Sequence, residues 1–263
     1  MTFSKLKCAL TITSVVLATA ATAITGSAQS SNPANQLTAP EIVAKSEAAY
    51  AALTSYRDEG KTQAMIGETA VPPSTFTIAL ARPGLYRISW DQDMGFFHQT
   101  GSAWSAGDGD YLKMGGGASA KNADREGALG GATGISGGAA ASVPGTFFKM
   151  NWGNQLGRPM MSAERKSDEK IGDVDCYVLS QTIAGRTKIL WIGKSDFLIH
   201  QVENDTSSAE LQETLDAQAK AHPEFQALAQ RPAGDIKSIE THFNIVPNPP
   251  LAKADFAEPG APQ

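Results

Sequence analysis

Ser74-Thr75-Phe76-Thr77-Ile78-Ala79-Leu80-Ala81-Arg82-Pro83-Gly84-Leu85-Tyr86-Arg87-Ile88-Ser89-Trp90 reads as a strand, a turn and a second strand. Phe76, Ile78 and Leu80 alternate with Thr75, Thr77 and Ala79. After Pro83-Gly84, Tyr86, Ile88 and Trp90 alternate with Arg87 and Ser89. Successive side chains of an extended chain point to opposite faces, so a period of two collects the large apolar residues on one face. Pro and Gly are the residue types that turn a chain between strands. The stretch therefore predicts an antiparallel hairpin with one aromatic-rich face.

The same pattern extends downstream. Phe96–Gln99, Ala103–Ala106 and Asp110–Met114 read as short strands, punctuated by Gly101 and by Asp108-Gly109. Beyond Pro159, Met161–Ile171, Asp175–Thr182, Thr187–Ile192 and Leu198–Asn204 are joined by Gly172-Asp173, Ala184-Gly185 and Gly193–Asp196, the spacing of an antiparallel meander. Asp235–Val246 is a last long strand before Asn248-Pro249-Pro250.

Upstream, Thr38-Ala39-Pro40-Glu41 has the layout of a capping box, with Pro40 in the first turn, where no amide partner is needed. Ile42, Val43, Ala49, Tyr50 and Leu53 follow at helical spacing, predicting a helix to about Tyr56. A second box, Ser207-Ser208-Ala209-Glu210, opens an amphipathic helix through Leu211, Leu215 and Ala219. Pro223 breaks it, and Phe225 and Leu228 continue on a short turn. Between the two halves, residues 115–150 are dominated by Gly and Ala, with Leu129, Ile135, Val143, Phe147, Phe148 and Trp152 in or beside the run. Polar linkers rarely carry such apolar residues, so short, weakly held helices over an apolar surface are expected here. The sum is one mostly antiparallel β domain with a leading helix, about ten strands, a lid-like segment and one helical excursion.

The first residues bear on compartment. Lys5 and Lys7 precede the apolar or small run Leu10 to Ala23, and Gly26-Ser27-Ala28 offers a small-x-small cleavage site before Gln29, the layout of a signal peptide. The run is short and rich in Thr and Ala, unlike a span crossing ~30 Å of hydrocarbon. Cys8, preceded by Lys7, lacks the small-residue context of a lipid-modified cysteine. Removing residues 1–28 takes away two lysines and no acid, leaving 20 basic and 27 acidic side chains, a net charge of −7 over 235 residues. Such a balance disfavours nonspecific binding to nucleic acid or anionic lipid surfaces. Cys176 is then alone and can form no internal disulfide, so stability must come from burial.

Little in the chain points to catalysis or to a metal. Gly134-Ile135-Ser136-Gly137-Gly138 matches G-x-S-x-G, but that elbow needs a strand before the serine, and Gly130-Gly131-Ala132-Thr133 is no strand. Asp91-x-Asp93 and Asp108-x-Asp110 do not continue into a calcium loop and read as turn acids. His98, His200, His222 and His242 have no metal-ligand spacing, and Cys176 has no neighbouring cation to activate it. No catalytic residue, metal site or cofactor is expected. What remains is apolar surface: Phe76, Ile78, Leu80, Tyr86, Ile88 and Trp90, with Phe96 and Trp104, on one face of a sheet. It reads either as a closed core or as a cavity under a cover made of the first helix and the Gly/Ala segment.

At Ala81-Arg82-Pro83-Gly84-Leu85-Tyr86-Arg87-Ile88 the chain resembles the periplasmic lipoprotein-carrier (LolA-like) superfamily, which has an Arg-Pro-x-x-aromatic hairpin after one N-terminal helix. Gly101-Ser102-Ala103-Trp104-Ser105 is similar to that family's Asp-Gly-Lys-x-x-Trp hairpin, and Asp255-Phe256-x-x-Pro259 to its closing segment. Val174-Asp175-Cys176-Tyr177-Val178-Leu179, with Leu190–Lys194 and Leu198-Ile199, resembles its uncharacterised lipoprotein-sorting-like members more than the carrier itself. The resemblance covers residues 38–258. It implies an antiparallel half-barrel sheet closed by the N-terminal helix and the lid segment, around a cavity for acyl chains lined by Phe76, Ile78, Leu80, Tyr86, Ile88 and Trp90. It also implies that Arg82 latches the lid through hydrogen bonds, for which a guanidinium offers five donors in a fixed fork. Two features depart from the family: a helical insertion at 205–232 and a lid far richer in Gly and Ala.

The domain plan is thus a signal peptide (1–28), a flexible leader (29–37), the half-barrel domain (38–258) and a tail (259–263). The implied function is that of a periplasmic, monomeric, non-enzymatic carrier or binder of a lipid, an acylated lipoprotein or another amphiphile. The competing expectation is an envelope-stress regulator whose partner is a membrane protein's periplasmic segment, since related half-barrels bind an anti-sigma factor. A hydrolase acting through Ser136 is the third.

Overall fold

A computed structural model of the chain describes residues 37–93, 95, 98–221 and 234–259. The expected signal peptide, most of the expected leader, Phe96, His222, Phe225 and Leu228 lie outside the described residues. Among the described residues, no helix is long and apolar enough to cross a membrane.

The first helix, α1 (Ala39–Ala52), begins where the sequence predicts. The Glu41 carboxylate reaches back to accept from the Thr38 amide at 2.7 Å and from its hydroxyl at 2.8 Å. Those bonds hold the Glu41 carboxyl below its ordinary value. Ile42, Val43, Ser46 and Tyr50 form the buried stripe. The helix stops three to four residues before Tyr56, because Leu53 is already extended and Ser55 begins a strand.

That strand, β1 (Ser55–Ile66), was not foreseen. Its inward residues are Tyr56, Asp58, Gly60 and Thr62, which carry no apolar alternation. β2 (Thr69–Ala81) and β3 (Leu85–Asp93) are the predicted hairpin, with Phe76 opposite Trp90, Ile78 opposite Ile88 and Leu80 opposite Tyr86. β4 (His98–Ser105), β5 (Asp110–Met114) and β6 (Ala120–Asn122) continue the meander to one edge. Gly101 lies inside β4 rather than between two strands.

After the Gly/Ala segment, a 3₁₀ turn at Arg158–Ser162 and two short strands, β7 (Glu164–Arg165) and β8 (Glu169–Ile171), replace the single strand expected from Met161 to Ile171. β9 (Val174–Ile183), β10 (Arg186–Gly193) and β11 (Ile199–Thr206) form the second meander. β12 (Ile236–Pro247) follows the helical excursion.

The result is one open antiparallel sheet of twelve strands, two more than expected, in the order β6-β5-β4-β3-β2-β1-β12-β11-β10-β9-β7, with β8 also on β9. The β1–β12 pairing joins the two meanders, so the ends of the domain meet at the sheet's centre. The β1–β2 register shifts between Thr62 and Ala64, near Pro72-Pro73 of β2, since proline has no amide to give the ladder.

The Gly/Ala segment folds into two short helices, α2 (Arg125–Thr133) and α3 (Ser142–Phe148). The Asp124 carboxylate caps α2 by accepting from the Gly127 amide at 2.8 Å. α2 lies on β4 and β5, and α3 packs against α1. The excursion before β12 opens with α4 (Ser208–Ala221), where the Ser207 hydroxyl accepts from the Glu210 amide at 3.3 Å. The Glu210 side chain turns to Arg186 instead of closing a box.

Candidate ligand-binding site

The inner face of the sheet and its helical cover share one continuous apolar cluster. Phe76, Ile78, Leu80, Tyr86, Ile88 and Trp90 are each between 0 and 3 % exposed. They cluster with Ile42 and Val43 of α1, Leu129 of α2, and Val143 and Phe147 of α3. All six residues expected to face a cavity are therefore on the inner face, and in this closed arrangement the helices lie over them. Phe96 lies outside the described residues. Trp104 is on the outer face, stacked on Tyr111 at 5.5 Å between ring centroids.

The register explains how two large rings fit in one row. Gly101, Trp90, Phe76, Gly60 and His242 are successive cross-strand neighbours. A Cβ on Gly60 would come 2.0 Å from Phe76 Cζ, and one on Gly101 would come 2.1 Å from Trp90 Cζ2. Each ring lies flat over a glycine, which is what a close approach to backbone requires.

Arg82 directly follows β2, where three pieces of chain meet. Its Nε donates to Leu53 O at 2.9 Å, and one terminal nitrogen donates to Tyr50 O at 3.1 Å and to Phe147 O at 2.8 Å. The guanidinium also lies over the Phe147 ring, 4.4 Å from its centroid. Carbonyls at the last turn of a helix lack partners within the helix, and here a side chain of the sheet satisfies those of α1 and α3 together. A second arginine, Arg125 of α2, sits 4.0 Å over the Phe148 ring.

The inner face also carries a buried polar cluster that the sequence reading missed. His242 Nδ1 is 2.6 Å from Asp58 Oδ2, and its Nε2 is 3.0 Å from Glu240 Oε1. Tyr56 donates its hydroxyl to Asp58 at 2.6 Å, and Ser142 of α3 donates to Glu240. Tyr56, Asp58, Ser142, Glu240 and His242 are all at most 5 % exposed. Burial works against the imidazolium, but Asp58 and Glu240 on either side outweigh it and push His242 up to about 10. Burial raises the Asp58 carboxyl, with His242 and Tyr56 pulling the other way. The signal available in the sequence was Glu240-x-His242, two polar side chains on one face of a strand. Their partner Asp58 lies 184 residues away from His242.

The other singled-out residues have structural contacts. Ser136 is buried, donating to Thr133 O at 3.2 Å and accepting from the Ala140 amide at 3.1 Å, which ties the turn between α2 and α3. Asp91 pairs with His98 at 2.7 Å, Asp93 accepts from the Gly95 amide, and Asp110 accepts from the Tyr86 hydroxyl. Cys176 is buried on the outer face with Val178 and Trp191, and burial pushes its thiol up to about 11.

These features define an open antiparallel half-barrel whose apolar face is held under helices. No protein-family model matches the chain, and no curated protein matches it. Solved structures do. LprF from Mycobacterium bovis is 12% identical with a TM-score of 0.46, over 84% of this chain and 96% of that one. A LolA superfamily protein from Nitrosomonas europaea is 11% identical with a TM-score of 0.33, over 85% and 99%. The MucA/MucB complex of Pseudomonas aeruginosa matches at 8% identity and a TM-score of 0.41, over 84% of this chain and 60% of that one. The superfamily read from the Arg82-Pro83 hairpin is thus among those this chain is similar to, and the likeness is one of fold.

Proposed function

We propose that the mature protein is a non-enzymatic, periplasmic carrier or binder of an acyl chain, an acylated lipoprotein or another amphiphile, and that the ligand takes the place of the helical cover on the inner face. The observation that carries this reading is the three-carbonyl contact of Arg82. It ties α1 and α3 to the end of β2 through polar bonds that can break and re-form, while the surfaces beneath are apolar and indifferent to whether a helix or an acyl chain covers them. The cover is also the part of the domain with the weakest intrinsic structure, since α2 contains Gly127, Gly130 and Gly131, and glycine inside a helix costs ~1 kcal/mol relative to alanine. Export rests on the N-terminal pattern of Lys5, Lys7 and the small-residue cleavage site.

The test is organic extraction of the purified mature protein followed by mass spectrometry, together with titration of an environment-sensitive fluorescent fatty acid. Copurified lipid or saturable probe binding supports the reading. Protein that carries no lipid and excludes every acyl probe would sink it, and recovery with a membrane protein's periplasmic segment instead would favour the regulatory alternative.

A further inference from the structure

The inner face changes character at its β9–β10 end. Leu179, Leu190, Val202 and Glu240 form one cross-strand row, and the next row outward is Gln181, Lys188, Asn204 and Ser238. Lys188 lies two residues before Leu190 on β10 and shares its inward face, so a lysine stands at the boundary between the apolar core and the rim. A cavity of about 400 Å³ opens at this point. Gln155 and Met160, from the segment after α3, line one side, and Gln181, Ile183 and Lys188 line the other. Met160 is only 2 % exposed and belongs to the core cluster, so the inner wall of the cavity is continuous with the apolar face.

The charges there are unevenly matched. Arg186, at the rim, pairs with Glu210 at 2.8 Å and donates to Thr214. Glu240, the acid that acts on Lys188, is already engaged by His242 and Ser142. Among the described residues, Lys188 itself has no hydrogen bond or ion pair, and burial pushes its ammonium below the ordinary value. Gln155 is 6 % exposed, and its Oε1 has no hydrogen-bond partner among the described residues. A half-buried cation without a partner is costly, and an anion beside it removes that cost. The unfilled amide oxygen of Gln155, a residue that lines the same cavity, suits a hydroxyl donor.

We propose that this cavity is the head-group end of the binding site and that it takes an anionic head group carrying a hydroxyl, as in a phosphoglycerol, with the phosphate on Lys188 and the acyl chain running inward past Met160. This rests on the acyl-binding reading above and adds the charge of the ligand. Gln181, directly across from Lys188, supplies an amide donor to the same group. An anionic amphiphile can thereby bind in a domain whose overall charge is negative, because a half-buried cation without an ion pair lies at the cavity.

The experiment compares binding of two lysolipids with the same 16-carbon chain, lysophosphatidylglycerol and lysophosphatidylcholine, below their micelle concentrations, to wild type, Lys188→Gln and Lys188→Arg. Wild type should prefer the anionic lipid about tenfold, the order expected of one charge-assisted hydrogen bond. Lys188→Gln should lose that preference without weakening lysophosphatidylcholine, and Lys188→Arg should retain most of it. Equal binding of both lipids by wild type and Lys188→Gln would overturn the head-group site while leaving acyl binding intact; binding of neither lipid by wild type would instead defeat the functional reading itself. Inorganic phosphate alone should not compete at millimolar concentration, and competition would reassign the site to a free anion. Ligand-free Lys188→Met should melt no lower than wild type. A clear drop would mean that Lys188 is paired within the protein, and the proposal would fail.

Discussion

Phe147 meets Arg82 twice: its carbonyl accepts from the guanidinium at 2.8 Å, and its ring lies beneath the same group at 4.4 Å. One residue at the end of α3 is thus held by one residue at the end of β2, through a charge-assisted hydrogen bond and a cation–π contact together. Because Arg82 also holds Tyr50 O and Leu53 O, the two covering helices share one anchor.

Arg82→Leu should leave the sheet folded while loosening the cover. Losing hydrogen bonds from a charged donor costs ~1.5–3 kcal/mol, one to two decades in a closed–open equilibrium. More binding of an apolar dye, lower hydrogen-exchange protection in α3 and slower release of a bound acyl probe are expected. Lys keeps the charge but not the fork and should fall between. If Arg82→Leu matches wild type in all three measurements, Arg82 is an ordinary strand-end charge.

Trp90→Ala should weaken acyl-probe binding. The ring is 3 % exposed and belongs to the apolar cluster under the cover. Burial of an aromatic contributes on the order of 1.5–3 kcal/mol, so most of the affinity should go. Fluorescence titration checks this, and unchanged affinity would place the ligand elsewhere.

Gly60→Ala should destabilise the fold by ~1–3 kcal/mol, the usual range for overpacking a tight core, because its Cβ would sit 2.0 Å from Phe76 Cζ. Phe76→Leu, which removes the ring, should recover part of that loss in the double variant. Denaturant melts of the four proteins measure the coupling, and simple additivity would argue against the contact as the cause.

His242 holds its proton up to about 10 in the folded protein, against an ordinary value of 6.5. Between those values the folded state binds more protons than the unfolded one, so this contribution is full below about 6.5 and is lost as pH rises through about 10. Asp58, whose carboxyl is also raised, adds a loss in the same direction at the acid end. Thermal melts across that range should show stability falling as pH rises. His242→Gln should start lower by about 3–5 kcal/mol, because two buried carboxylates lose their shared cation, and should respond more weakly to pH. Parallel curves for the two proteins would contradict this account.

N-terminal sequencing of exported protein should find Gln29 first, since Gly26-Ser27-Ala28 offers a small-x-small site after the apolar run. A mature product that keeps Met1 would contradict the cleavage.

Elements governed by local rules are legible in the sequence. The alternation in β2 and β3, the Thr38 and Ser207 helix starts, and the strand–turn spacing of β9 to β11 each depend on residues within a few positions of one another. The twelve-stranded sheet was underestimated because β1 hides its nature: a central strand whose inward residues are Tyr56, Asp58, Gly60 and Thr62 has no apolar period to read. Gly60 and Gly101 likewise look like turn residues until the register lays Phe76 and Trp90 across them. The ion cluster and the lysine at the cavity are further from reach. Asp58, Ser142, Glu240 and His242 belong to β1, α3 and β12; the pairing of the first strand with the last brings the two strands' residues together, and Ser142 of α3 joins them by donating to Glu240. Lys188 is one lysine among many until the fold half-buries it at the cavity with no hydrogen bond or ion pair among the described residues. Periodicity acts over a few residues and can be read from the chain, whereas desolvation and pairing of charges depend on neighbours that only the folded sheet supplies.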